Sequence, residues 1–181
     1  MKNLVASTDR LNLYLVTEAD AQFIFTLVND PSWIAFIGQR NVHSISDARI
    51  YIKKAFTDVY AKHGFGLYKV CLKDDTPIGI SGLVKRDSLK NVDIGFAQLP
   101  QFCGLGYGLE AAKAVLNYAK EILKIDYIVA ITSLKNLNSQ ALIKKLDFYF
   151  EKMIPYKDGL ESMLFLPNEK FSRGTKSGSK S

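Results

Sequence analysis

Strand and helix patterns alternate along this chain. Several short stretches alternate apolar and polar residues, as strands with one covered face do, and residues 127–132 are almost continuously apolar, as in a strand covered on both faces. We interpret as strands residues 11–16, 66–72, 78–85, 92–99, 127–132, 148–154 and 162–166. Turn-forming segments at residues 73–77 and 155–159 separate consecutive strands.

Between these strands, apolar residues recur at helical spacing. The spacing predicts helices at residues 17–28, 46–62 and 138–146, and a further helix directly after Gly108. Residues 33–42 are predicted to form an irregular or partly helical connection. The resulting order, β-α-α-β-β-β-α-β-α-β-β, predicts an α/β fold in which a mixed sheet carries helices on both faces.

Composition narrows the class of protein. The chain has 181 residues, 48% apolar and 23% charged, which predicts one soluble globular domain over residues 1–166. Residues 167–181 are rich in Gly, Ser and Lys and are predicted to be a disordered basic tail. The rest of the chain is only mildly basic, so nucleic acid is not an expected partner.

Two further absences shape the expected environment. No apolar run has the length of a transmembrane helix and the first residues lack a signal-peptide core, so we expect a cytoplasmic protein without membrane partners. Cys71 and Cys103 lack the spacing of metal ligands or of a disulfide framework, so we expect no metal.

A glycine cluster follows the strand at residues 92–99. Gly104, Gly106 and Gly108 precede a helical pattern, so the arrangement is a strand, a loop of small residues and a helix start. Such a loop directs backbone N–H groups and the positive end of the helix dipole at one point. The expected occupant is an anion, most often a phosphate.

Two common phosphate loops fit this cluster poorly. A Walker P-loop requires Lys followed by Ser or Thr after its last glycine, whereas Leu109 and Glu110 follow here. Residues 106–111 do fit the dinucleotide-binding pattern G-x-G-x-x-A. However, the acid about twenty residues further on, Asp126, precedes its strand, whereas a ribose-binding acid should follow its strand.

The loop instead resembles that of the GNAT acetyltransferase superfamily. QFCGLG at residues 101–106 matches the family signature Q/R-x-x-G-x-G/A, and GYGLEA at residues 106–111 is similar to the "GYATEA" run of the ribosomal-protein N-terminal acetyltransferase branch (RimJ/RimL-like). DRLNL at residues 9–13 resembles that branch's "TERLxLR", and residues 136–148 resemble its "NxxSxxxxEKLGF". The likeness extends over residues 8–166 with the motifs in the same order.

The resemblance implies a mostly antiparallel central sheet and acetyl-CoA as co-substrate. The loop would bind the pyrophosphate, and a strand kink at residues 94–97 would open a gap towards residues 127–132 for the pantetheine arm. The cofactor-binding residues it implies are Ile94, Gly95, Phe96, Gln101, Phe102, Cys103, Gly104, Leu105, Gly106, Tyr107, Gly108, Asn136 and Ser139. The backbone N–H of Ile94 or Phe96 would polarise the thioester carbonyl.

Catalytic groups are less defined. The resemblance makes Ser139 the candidate proton donor to the leaving thiolate, and the alternative is that Asn136 and Ser139 simply cap the helix that begins there. The tyrosine acid of other GNAT branches is replaced by Ile143, and the usual glycine before Phe148 is Asp147, which could alter that turn.

No proton acceptor is assigned by the motifs. Asp93 and Glu161 are possible bases, whereas His43 and His63 are more typical of loop residues. The expected activity is acetyl transfer from acetyl-CoA to a primary amine, either a protein N-terminal α-amine or a small-molecule amine, by a monomer or homodimer. The alternative is a non-catalytic domain that binds acyl-CoA.

Overall fold

In the computed structural model, which describes residues 3–156 and 159–168, eight strands form one mixed sheet. The strands are β1 (Leu4–Ser7), β2 (Leu11–Tyr14), β3 (Leu67–Leu72), β4 (Pro77–Val84), β5 (Val92–Gln98), β6 (Ile128–Thr132), β7 (Phe148–Pro155) and β8 (Glu161–Pro167). Their order across the sheet is β1-β2-β3-β4-β5-β6-β8-β7.

Helices cover both faces of this sheet. They are α1 (Ala21–Val28), α2 (Pro31–Phe36), α3 (Ile45–Ile52), α4 (Asp58–His63), α5 (Tyr107–Glu121) and α6 (Leu137–Lys145). The core beneath α5 and α6 contains Val115 and Ile143, and the core beneath α1 and α3 contains Ile24 and Ile52. The predicted fold class, a mixed and mostly antiparallel sheet between helices, is therefore confirmed.

One junction in the sheet differs from all the others. Neighbouring strands from β1 to β5 pair antiparallel, as do β6 with β8 and β8 with β7. β5 and β6 pair in parallel, but only Val92 with Ile128 and Asp93 with Val129. Beyond these positions the two strands separate, so the sheet opens towards their carboxyl ends.

The predictions from the sequence omitted one strand and gave wrong limits for two helical segments. β1 was not predicted because its residues are exposed or half-buried and lie at the sheet edge, where no strong apolar alternation is required. Residues 33–42 were predicted to be an irregular or partly helical connection, but a defined helix, α2, begins before them at Pro31, with the Asp30 side chain as cap. The single helix predicted over residues 46–62 is interrupted by a π-helical turn, Lys53–Thr57, between α3 and α4.

The turn before β7 is kept despite the unusual residue there. Asp147 has φ of 67°, the left-handed conformation that glycine adopts most readily. Its carboxylate accepts a hydrogen bond from Asn168 Nδ2 at 2.7 Å, and its carbonyl accepts one from the Asn168 N–H at 3.1 Å. Asp147 therefore adopts the left-handed backbone conformation that a glycine at this position would allow.

The structure describes only part of the carboxyl-terminal segment that was predicted to be a disordered tail. β8 continues to Pro167, one residue past the predicted domain boundary, and residues 169–181 of the predicted tail lie outside the described residues. Within the described part of the chain, every helix is too short or too polar to cross a bilayer.

Candidate active site

The gap between β5 and β6 exposes backbone on one side of β5. β4 pairs with β5 from Asp93 through Gln98, but β6 pairs with β5 only as far as Asp93. Ile94, Gly95 and Phe96, all named as binding residues by the sequence, lie on this unpaired edge. A linear ligand that carries amide groups can pair with such an edge as an added strand does.

The glycine loop joins the open end of β5 to α5. Gly104 and Gly106 have φ of 78° and 83°, so both use the left-handed conformation, and Gly106 is the amino-terminal cap of α5. No side chain caps this helix, which leaves its first N–H groups directed outwards. The loop therefore has the geometry of an anion-binding helix start.

Hydrogen bonds inside the loop show which N–H groups are free. The N–H groups of Phe102 and Cys103 donate to the carbonyls of Leu99 and Pro100, each at 3.0 Å. For residues 104–108, no acceptor is found among the described residues. Among the predicted residues 101–108, Phe102 and Cys103 therefore have their amides engaged within the loop, whereas the amides of residues 104–108 can face a phosphate.

Close packing at Gly108 holds the loop against the gap. Gln98 Nε2 donates to the Phe102 carbonyl at 3.0 Å, which joins the end of β5 to the loop. A Cβ atom at Gly108 would lie 3.0 Å from Gln98 Oε1 and 3.1 Å from Leu142 Cδ1. Gly108 thus allows the start of α5 to approach both β5 and α6.

The start of α6 borders the same gap. β6 runs parallel to β5, so the segment that follows it, with Asn136 and Ser139, lies at the edge where β5 also ends. Asn136 Oδ1 caps α6 by accepting from the Ser139 N–H at 3.0 Å. The Ser139 hydroxyl is half-buried and has no hydrogen-bond partner in the described part of the chain. The capping role is therefore present, and the hydroxyl stays available for a ligand.

An ion pair that the sequence did not reveal fixes the other side of the loop. Arg10, in the turn between β1 and β2, donates from Nε to Glu110 Oε2 at 2.6 Å, and its backbone N–H donates to Oε1 at 3.1 Å. Thr8 Oγ1 also donates to Oε1, at 2.6 Å. Arg10 Nη1 donates to the Leu105 carbonyl at 3.1 Å, and its guanidinium lies 4.6 Å above the Tyr107 ring. We call Thr8, Arg10 and Glu110 the loop latch.

The loop latch affects the protonation of Glu110. Partial burial acts to raise the pKa of this carboxyl, but the hydrogen bonds from Thr8 and Arg10 and the charge of Arg10 outweigh it, so the pKa is lowered. Both partners lie within the motifs quoted above, at residues 9–13 and 106–111. The motifs could therefore have suggested the pair, but only the fold places Arg10 beside Glu110.

A buried carboxylate lies where β5 and β6 part. Asp93 is 1% exposed and Arg86 Nε donates to its Oδ1 at 2.9 Å. Burial raises the pKa of Asp93 to about 6, against the opposing effect of the Arg86 charge and hydrogen bond. Arg86 Nη1 also donates to the Tyr156 hydroxyl at 3.2 Å, which connects β5 to the hairpin of β7 and β8.

The other residues weighed from the sequence lie elsewhere. Glu161 is exposed at the start of β8, His43 is exposed before α3, and His63 stacks on Phe65 at the end of α4. Cys71 is buried in β3, whereas Cys103 is exposed in the glycine loop. The described residues contain no group of His, Cys, Asp and Glu side chains placed to hold a metal ion.

The sequence of this chain matches a known protein family. The family model for the acetyltransferase (GNAT) domain matches residues 10–149. The uncharacterized N-acetyltransferase YoaA of Bacillus subtilis (strain 168) is 27% identical over 154 residues, covering 83% of this chain and 85% of YoaA.

Solved structures agree with the sequence match. An acetyltransferase from Agrobacterium tumefaciens str. C58 has a TM-score of 0.75 at 20% identity, covering 90% of this chain and 92% of that one. The ribosomal-protein-S5-alanine acetyltransferase of Vibrio fischeri has a TM-score of 0.73 at 14% identity, covering 88% and 93%. By its family-model match, with the same fold in these structures, this chain belongs to the GNAT acetyltransferase family.

Proposed function

We propose that this protein transfers the acetyl group of acetyl-CoA to a primary amine of low basicity, with a peptide α-amine as the favoured acceptor. Acetyl transfer is the general activity that the family supports. The observation that carries the proposal is the uncapped loop at residues 104–108, which adjoins the unpaired edge of β5. Together they offer a site for an anion beside a site for an extended chain.

The donor would occupy both parts of this site. The N–H groups of residues 104–108 would hold the pyrophosphate of coenzyme A, and the unpaired β5 edge would pair with the amides of the pantetheine arm. A hydrogen bond to a charged acceptor is worth about 1.5 to 3 kcal/mol, so several such amides can anchor the donor without a lysine. Asn136 would contact the arm from the opposite side of the gap.

The proposed reaction joins the amine nitrogen to the thioester carbonyl carbon. As the N–C bond forms, the C–S bond breaks and the amine loses a proton. The backbone N–H of Ile94 or Phe96 would stabilise the carbonyl oxygen. Ser139, whose hydroxyl has no partner in the described chain, would pass a proton from solvent water to the thiolate, so that the serine hydroxyl is restored. Asp93, buried beside Arg86, would take the proton of the amine, directly or through water.

The acceptor class follows from proton availability. An α-amine with a pKa near 8 is roughly one-tenth neutral at pH 7, whereas a lysine amine with a pKa near 10.4 is neutral in only about 0.04% of molecules. A carboxylate with a pKa of about 6, such as Asp93, is a weak proton acceptor and removes a proton from a lysine ammonium group much less readily than from an α-ammonium group. A weakly basic α-amine therefore suits this site better than a lysine side chain.

Release of coenzyme A thiol measures the proposed activity directly. The assay compares a peptide with a free α-amine, the same peptide blocked at its amino terminus but containing lysine, and a small polyamine. We expect turnover with the free α-amine peptide, and at least about tenfold less with the blocked peptide. Tight binding of coenzyme A without turnover of any amine would instead establish the non-catalytic alternative.

A matched pair of glycine variants tests the role of the loop. Gly104 and Gly64 have φ of 78° and 73°, and a Cβ atom on either would meet nothing within 4 Å. Gly104→Ala and Gly64→Ala therefore carry a similar backbone cost, about 1 to 2 kcal/mol. We expect Gly104→Ala alone to raise the KM for acetyl-CoA, by about tenfold. An equal rise in both variants would contradict binding by the loop.

A further inference from the structure

One face of the outer part of the sheet carries no helix. Asp93 of β5 pairs directly with Val129 of β6, so their side chains lie on the same face. Ile131, two residues further along β6, is on that face too and pairs with Leu164 of β8. We give the name open face to six apolar residues that β6, β8 and β7 place there: Val129, Ile131, Tyr149, Ile154, Leu164 and Leu166.

The two cores of the protein leave most of the open face bare. α6 packs against β6 and β7 on the opposite face, where Ala130 and Ile143 lie in one core. The core beneath α1 and α3 includes residues of β3, β4 and β5, but within the described chain it reaches no residue of β6, β7 or β8. Tyr149 is 42% exposed. Four more open-face residues belong to neither core and stay half-buried: Ile131, Ile154, Leu164 and Leu166.

The proposed catalytic gap opens onto this face. Asp93 points to the same side and lies at the boundary between the helix layer and the open face. The other side of the gap is covered, because Ile94 and Ala130 lie in the core beneath α5 and α6. An amine that gives its proton to Asp93 would therefore approach from the open face. Ile131 is the first open-face residue beyond the last pair of β5 with β6.

Few charges interrupt the open face near the gap. Asp93 is paired with Arg86, and Lys152, which lies opposite Leu164 in the pairing of β7 with β8, is two strands away from β6, about 10 Å. The surface around Ile131 is therefore apolar. An apolar side chain placed against it loses contact with water, which is favourable, whereas a polar side chain would lose hydration without gaining a hydrogen bond from Ile131 or Leu164.

We propose that Ile131 is a specificity-determining residue for the acceptor, and that it selects a peptide whose first side chain is apolar. The inference rests on the proposed function and defines its substrate class more closely. The first side chain begins on the carbon that carries the amine, so it lies beside the gap whenever the amine does. The transfer step is unchanged: the nitrogen bonds to the carbonyl carbon, the C–S bond breaks, and the first side chain takes no covalent part.

Two peptides that differ only in their first residue test the proposal. Leu and Asn have the same number of non-hydrogen side-chain atoms, so the peptides differ in polarity and little in size. We expect the wild-type kcat/KM to be at least about tenfold higher for the Leu peptide, and Ile131→Asn to bring the ratio close to one. Loss of folding, donor binding or the base affects both peptides alike and cancels in this ratio. Equal wild-type values, or a ratio that Ile131→Asn leaves unchanged, would overturn the proposal.

A charged variant tests the same position by a gain of preference. Ile131→Lys should raise the ratio of kcat/KM for a peptide beginning with Asp to that for the Asn peptide, by about threefold relative to wild type. Ile131→Val keeps an apolar side chain and should keep the preference for Leu. Ile122→Lys, which alters an isoleucine that is 64% exposed after α5, should leave every ratio unchanged. An Asp preference that is absent in Ile131→Lys, or equal in Ile122→Lys, would overturn the assignment to Ile131.

A second copy of the chain is the other occupant that suits an apolar sheet face. Sedimentation of wild type and Ile131→Lys tests this occupant. A wild-type dimer that Ile131→Lys converts to a monomer, with no change in the peptide ratios, would overturn the proposal.

The proposed function can fail separately. In that case acetyl-CoA would release no thiol with any free α-amine peptide, whichever residue occupies position 131, and this inference would fail with it. If peptides are acetylated at equal rates whatever their first residue, only the inference about Ile131 is wrong.

Discussion

Asp93 couples the pH of the solution to both stability and the proposed chemistry. Its pKa of about 6 is raised by burial, above its ordinary value of 3.8, while Arg86 opposes the rise. Because the folded protein binds this proton more tightly than the unfolded chain, the contribution of Asp93 to the free energy of unfolding is fully present below about pH 4. That contribution is lost as the pH rises through about 6.

The same titration predicts the pH dependence of activity. Protonation of the amine substrate alone should lower kcat/KM steadily as the pH falls. If Asp93 accepts the amine proton, kcat/KM should fall more steeply below pH about 6, where Asp93 also becomes protonated, and we call this steeper part of the profile the extra limb. Asp93→Asn should lower the rate and remove the extra limb. Arg86→Gln should move the limb to higher pH, because the cation that lowers the pKa is lost.

Rate profiles of the three proteins from pH 5 to about 9 measure this effect. Circular dichroism at each pH provides the control for folding. An extra limb that persists unchanged in Asp93→Asn would show that another group titrates, and would leave Asp93 with a structural role only.

Individual residues differ in how far the sequence alone could explain them. The motif comparison located Asp147 at a glycine position but could not tell whether the turn survives, since that depends on φ and on Asn168, twenty-one residues away. Asp93 was recognised as a possible base, but its burial and its ion pair with Arg86, in the connection between β4 and β5, are properties of the folded chain.

At the scale of elements, the loop latch joins the first hairpin to the start of α5. Arg10 holds the Glu110 side chain, the Leu105 carbonyl and the Tyr107 ring, so one side chain contacts both the loop and the helix. Because its partners are on the segment that we propose binds the pyrophosphate, Arg10 would act as a positioning residue for the donor.

Removal of Arg10 should therefore weaken donor binding more than chemistry. We expect Arg10→Met, which keeps much of the aliphatic stem, to raise the KM for acetyl-CoA by about tenfold, the effect of losing one charge-assisted hydrogen bond. The kcat at saturating donor should change much less, as should the KM for the amine. Steady-state kinetics with each substrate varied in turn measures the difference.

An exposed ion pair provides the control for this prediction. Lys53 and Asp58 are 2.8 Å apart on the helical surface, and both side chains are more than half exposed. Because such surface pairs contribute little, Lys53→Met should leave both KM values unchanged. A rise in the amine KM of Arg10→Met equal to the rise in the donor KM would indicate a general loss of structure instead.

Elements with a strong local signal were predictable. The helix α5 and the strands β3 to β6 follow from apolar periodicity and glycine punctuation, and the glycine loop was identified before any fold was known. β1 was not, because an exposed edge strand needs no apolar alternation. Its absence from the prediction also hid the hairpin that carries Arg10, and with it the loop latch.

At the scale of the whole molecule, the sheet consists of two parts joined weakly at β5 and β6. One part contains β1 to β5 and the other contains β6, β8 and β7, and two residue pairs connect them directly. A ligand in the gap would contact both parts, so binding should stabilise the junction. The free energy gained is about 2.7 kcal/mol when the ligand is present at a hundred times its Kd.

This division predicts a specific pattern of hydrogen exchange. On addition of coenzyme A, the amides of residues 104–108 should exchange more slowly, because they have no acceptor in the described chain until the pyrophosphate arrives. The amides of Phe102 and Cys103 should change much less, since they already donate to Leu99 and Pro100. Amides on the unpaired edge of β5, between residues 94 and 98, should be slowed together with those of the loop.

Residue-resolved exchange by NMR, with and without coenzyme A, separates this pattern from general stabilisation. If binding only raised the free energy of global unfolding, exchange would slow at the most protected core amides, including those of β3 and β4. Cys103 and its neighbour Gly104 would then not differ in their response to coenzyme A. Gly104→Ala should weaken the protection of the loop, whereas Gly64→Ala should not. Equal protection of residues 102–108 would mean that the whole loop rearranges around the phosphate, and the free-amide geometry would then be wrong as the basis of donor recognition.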